Sequence, residues 1–128
     1  MINAVPNGEI MSWTVFEKTV KFIQETRIPF IMLSGGEPID HPLFLGIVNY
    51  AKKHGLHTII LSNGMFLEDK ELREKVLDLG CVIQITNDKR YYPKTVPIIK
   101  HELLCYEDTL RQLSPFGRAL KKCCSYNW

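Results

Sequence analysis

The chain has no apolar run long enough to span a bilayer, and nothing at its start resembles a signal peptide. Asn3, Asn7 and Glu9 stand where a basic-then-apolar pattern would be needed. It also lacks a strong excess of either charge. A formal net charge of +2 is too small to imply nucleic acid or an anionic membrane as partner. Its cysteines, Cys81, Cys105, Cys123 and Cys124, include no C-x-x-C pair, so a strong metal signature is missing. Without a secretory signal these thiols read as reduced, and a cytoplasmic protein follows. His41, His54, His57 and His101 flank predicted elements at no metal-ligand spacing, which leaves them surface or capping roles.

What is present is the composition of one globular domain covering residues 1–128. Of these 128 residues 45% are hydrophobic and 23% charged, enough for a core and no sign of disorder. The stretch that organises it is Leu33-Ser34-Gly35-Gly36-Glu37-Pro38. A short apolar run, Phe30 to Leu33, enters it after Pro29, and Asp40-His41-Pro42 leaves it as the start of a helix. A buried strand thus ends in two glycines and a carboxylate, the arrangement of a ligand site at the carboxyl end of a strand. Glycine lets backbone approach a ligand closely and take up positive φ. Glu37 offers a carboxylate to an ammonium or a ribose hydroxyl and reads as an exposed strand-end group with few structural partners.

The periodicity predicts a helix that starts near Ser12 or Thr14 and runs to about Arg27, with Thr14 and Glu17 as a capping box and Phe16, Val20 and Ile23 facing the core. A second helix is predicted from Pro42 to His54, with Phe44, Ile47, Val48 and Ala51 as its apolar stripe and Gly55 as its stop. The strand His57 to Ser62 then ends in Asn63-Gly64. A third helix runs from Glu68 to Leu79, its first turn acidic and Leu72, Val76 and Leu79 its buried face. The strand Cys81 to Thr86 follows, and a fourth strand is placed between Val96 and Leu104. Residues 105–128 form a C-terminal segment without assignment. The result is an α/β chain of parallel βα repeats. Three polar strand ends, Ser34 to Glu37, Ser62 to Gly64 and Thr86 to Asp88, then share one rim.

This pattern resembles the middle of the core of radical S-adenosylmethionine enzymes. Ser34-Gly35-Gly36-Glu37-Pro38 after one strand, Leu61-Ser62-Asn63-Gly64 one unit later and a polar third strand end carry the resemblance, over about Ser12 to Asp88. It implies a partial βα barrel. In that family a four-iron, four-sulfur cluster, held by C-x-x-x-C-x-x-C, binds S-adenosylmethionine, whose reductive cleavage starts radical chemistry. By resemblance, Gly35, Gly36 and Glu37 receive the methionyl ammonium. Thr86, Asn87 and Asp88 lie near the ribose or carboxylate, and Ser62 and Asn63 line the same rim.

The sequence departs from the family in having no C-x-x-x-C-x-x-C. It therefore reads as an internal piece of such an enzyme, and no cluster, bound cofactor or radical chemistry is expected of this chain alone. The substrate, small molecule or peptide, is unknown. Missing barrel strands would leave a sheet edge open to self-association. Pro115-Phe116-Gly117-Arg118-Ala119 is similar to a stretch preceding cysteine-rich extensions in some members, but adjacent Cys123 and Cys124 do not make a site.

Blander readings stand beside these. Gly35-Gly36-Glu37 is otherwise a strand-to-helix turn with a solvated glutamate, Asn63-Gly64 a simple turn, and Thr86-Asn87-Asp88 a locally capped loop. Cys81 and Cys105 read as core, Cys123 and Cys124 as tail thiols. Lys89-Arg90-Tyr91-Tyr92 reads as a solvated loop before a nucleotide-stacking one. The alternative function is a non-catalytic α/β module that binds a nucleoside, or an anion at a glycine nest.

Overall fold

A computed structural model describes residues 8–86 and 96–107. Asn87, Asp88, the Lys89–Tyr92 segment, the Pro115–Ala119 stretch, Cys123 and Cys124 lie outside these residues.

The fold is mixed α/β. In chain order, α1 spans Trp13–Thr26, β1 Phe30–Leu33, α2 Phe44–Lys53, β2 His57–Ser62, α3 Lys70–Asp78, β3 Val82–Thr86 and β4 Leu104–Glu107. The strands form one sheet in the order β1-β2-β3-β4, and every neighbouring pair is parallel. Leu33 stands beside Ile60, Ser62 beside Ile85 and Thr86 beside Glu107, so the carboxyl ends lie along one edge.

Strand side chains alternate between two unlike faces. Ile31, Ile60, Ser62, Ile83, Ile85 and Leu104 are buried. They pack under the helices in two clusters. One joins Phe16, Val20 and Ile23 of α1 and Ile47 and Ala51 of α2 to Ile31. The other joins Phe44 and Val48 of α2, Val76 of α3, and Phe66 and Leu67 to Ile60, Ile83, Ile85 and Leu104. The helices therefore cover one face. On the other, Phe30 and Met32 are exposed and Ile59, Leu61, Val82 and Gln84 only half-buried.

The helix starts differ from the sequence expectation. Ser12, and not Thr14, caps α1: its hydroxyl accepts the Val15 N–H at 3.4 Å. Pro42, the predicted start of the second helix, lies in a turn that follows a short 3-10 segment, Pro38–Asp40, and α2 begins two residues later at Phe44. His41 Nδ1 accepts the Leu43 N–H at 3.1 Å in the turn ahead of α2, whose N-cap Leu43 makes no side-chain cap bond. The predicted start of the third helix at Glu68 is a second 3-10 turn, Met65–Glu68. Asp69 then caps α3, its carboxylate accepting the Leu72 N–H at 3.1 Å. A side-chain acceptor at the cap satisfies a donor the helix cannot, which fixes the start.

The fourth strand also moves. It begins at Leu104, where the predicted one ends, because residues 101–103 turn: His101 Nδ1 accepts the Leu103 N–H at 3.2 Å. Cys105 correspondingly lies half-buried in β4 and is not core, while Cys81 is buried as expected.

Candidate functional site

The two described glycine-bearing strand ends are built in opposite ways. After β1, Ser34, Gly35 and Gly36 are all exposed. Gly35 has φ +148°, a conformation that L side chains rarely adopt. A Cβ built on Gly35 or Gly36 would meet nothing within 4 Å. Gly36 is outside the left-handed region, so neither its backbone nor its neighbours among the described residues require a glycine there.

After β2, the turn is packed. Gly64 has φ +80°, and a Cβ there would lie 2.8 Å from Ile85 Cγ2 and 2.8 Å from Val96 Cγ1. Both side chains are buried. The polar groups of this turn serve the turn itself. Ser62 Oγ accepts the Gly64 N–H at 3.0 Å, and Asn63 Oδ1 accepts the Met65 N–H at 2.9 Å. Ser62 is 3% exposed, on the helix-covered face, so its hydroxyl is not presented to solvent.

Glu37 belongs to both ends. Its Oε2 accepts the Asn63 N–H at 2.7 Å and its Oε1 the Ile39 N–H at 3.4 Å. Ser62, beside the same carboxylate, favours its charged form. The expectation of an exposed carboxylate with few structural partners does not hold: Glu37 is half-buried, and its partners cross from one strand end to the next. Burial pushes its carboxyl above the ordinary glutamate range. The bond from Asn63, the nearby Ser62 and the bond from Ile39 pull it back in part, and nearby Asp40 raises it further.

Of the rim residues read from the sequence, Gly35, Gly36, Glu37 and Asn63 come together. Thr86 ends β3, half-buried and beside Glu107 in the register, on the face opposite Ser62. Asn87 and Asp88 lie outside the described residues. Sequence reasoning missed the backbone N–H groups of Ile39 and Asn63 as partners of Glu37, and Val96 as the cover of Gly64. No sequence signal marks the Asn63 and Val96 contacts, because each joins separate segments, whereas Ile39 lies two residues after Glu37 in the same turn.

Among the described residues, the remaining reactive groups are not gathered into a site. Among the described residues, no group of three or more His, Cys, Asp or Glu side chains is placed to hold a metal. Burial raises the Cys81 thiol, which keeps it from being a thiolate nucleophile at neutral pH. His54 Nδ1 lies 2.9 Å from the Tyr50 carbonyl and its ring packs on Tyr50, a structural arrangement. Among the described residues no helix is long and apolar enough to cross a membrane. Compared with known proteins, the chain matches no protein-family model and no curated protein.

Proposed function

We propose that this chain carries the cofactor-facing part of a radical S-adenosylmethionine-type core, with Gly35-Gly36-Glu37 receiving the methionyl end of S-adenosylmethionine. The observation that carries the reading is Gly36, a glycine with no use in the described fold. A missing side chain that neither φ nor crowding demands is what close approach of a ligand to the backbone needs. Consecutive parallel strands with helices on one face add support, since they are the plan of a βα barrel, whose ligands sit at the carboxyl ends of the strands.

The charges favour a cationic group. Glu37 and Asp40 lie beside the loop, and S-adenosylmethionine brings an ammonium and a sulfonium. An anion at the same loop would face both carboxylates. The segment that follows is a three-residue 3-10 turn, too short to offer an anion the field of a helix N-terminus. Both features weigh against the anion half of the nucleoside- or anion-binding alternative. The sequence has no C-x-x-x-C-x-x-C, so this reading gives these residues a binding role and no radical step.

The test is a titration of the chain with S-adenosylmethionine, followed by the amide resonances of Gly35 and Gly36, with inorganic phosphate in parallel. Both glycines are expected to shift with S-adenosylmethionine and less with phosphate. No shift at millimolar S-adenosylmethionine, or a larger one with phosphate, removes the reading.

A further inference from the structure

Glu37 is the carboxylate that directly follows the two glycines, yet its short hydrogen bond runs to the backbone of the neighbouring strand end. Oε2 is 2.7 Å from the Asn63 nitrogen, across 26 residues of sequence. The same carboxylate takes, more loosely, the Ile39 N–H at 3.4 Å. Ser62, the residue before Asn63, accepts from Gly64, which is buried against Ile85 and Val96. A continuous chain of contacts thus leads from the open loop after β1 to the packed turn after β2.

We propose that Glu37 is a positioning residue that ties the loop after β1 to the turn after β2, so that the open strand end takes its place from the closed one. The packed turn is the fixed member, because Gly64 is buried there with no space even for a Cβ. The open loop has no packing of its own at Gly35 or Gly36 and depends on the tie. A ligand on the loop would then be felt at Asn63. This inference concerns the same loop as the proposed cofactor site and rests on that reading for its functional meaning. The tie itself is measurable without ligand, so either can fail alone.

The experiment is site-resolved amide hydrogen exchange on the ligand-free chain, comparing wild type with E37Q and E37A. E37A removes the acceptor of the Asn63 N–H, and E37Q keeps an acceptor oxygen without the charge, so Asn63 is expected to exchange about tenfold or more faster in E37A and by a smaller factor in E37Q. Ile60 and Ile83, in the centre of the sheet, are expected to keep their wild-type rates. Unchanged exchange at Asn63 overturns the proposal. So does an equal rise at Ile60 and Ile83, which would make Glu37 a support of the whole fold.

A second measurement on wild type holds even where a variant fails to fold. The Glu37 carboxyl carbon and the Asn63 amide proton are followed against pH. Asp40 is the charged neighbour that acts on Glu37, and its own carboxyl is followed in the same spectra. Asn63 is expected to titrate with the midpoint of Glu37, above the ordinary glutamate range. An Asn63 amide that ignores Glu37, or follows Asp40 instead, overturns the tie.

Discussion

Two strand ends in this sheet carry glycine, and they use it for different purposes. Gly64 is where it is because the fold leaves no alternative: its φ is +80°, and two buried side chains occupy the space of a Cβ at 2.8 Å. Gly36 sits in a loop where a Cβ would meet nothing within 4 Å. One glycine serves packing, and the other is left over once packing is accounted for. Function is better sought at the second kind, since a residue explained by the fold needs no further cause.

The comparison can be broken most forcefully at Gly64. Gly64→Ala must hold an L side chain at positive φ and push against Ile85 and Val96. Left-handed backbone and overpacking together are expected to destabilise by roughly 2–4 kcal/mol. Urea unfolding measures this, and a cost near zero would mean that the turn after β2 is not closed.

Gly35→Ala tests backbone alone, because space is free and only φ +148° opposes the change. A cost of about 1–2 kcal/mol is expected from the same unfolding experiment. A cost equal to that at Gly64 would erase the difference between the two ends.

Glu37 sharpens the comparison through pH. Its carboxyl is raised in the fold, with burial as the largest cause. A group of this kind contributes stability that is full below its unfolded pKa and is lost as pH rises through the folded value. Wild type is therefore expected to lose stability relative to E37Q across the window from the ordinary glutamate range up to the raised value. Chemical unfolding of both proteins at several pH values checks the sign. The opposite slope would mean that Asn63, Ser62 and Ile39 together outweigh the burial.

What the sequence disclosed and what it hid follow the range of the forces involved. Phe30 to Leu33, His57 to Ser62 and Val82 to Thr86 were legible because each is a short apolar run bounded by proline, glycine or polar residues. Phe16, Val20 and Ile23 were legible because they recur at helical spacing and are buried as that spacing requires. The strand Leu104–Glu107 was misplaced: its four residues include the polar Glu107 and Tyr106, and only pairing with β3 makes them a strand. The short turns Pro38–Asp40 and Met65–Glu68 were hidden by acidic residues that suit a helix start as well. At the candidate site, the open loop was legible in its glycines. The inward turn of Glu37 was not, because its best donor is a backbone N–H in another loop.

The most direct measurement is made on Gly36→Ala. Its unfolding free energy is expected to match wild type within about 0.5 kcal/mol, as for a substitution that touches nothing. The same protein, titrated with S-adenosylmethionine, is expected to lose the amide shifts that the wild-type loop gives, because the new methyl group stands where the ligand approaches. A variant that is as stable as wild type and still gives the wild-type shifts would contradict the claim that this glycine is kept open for a ligand.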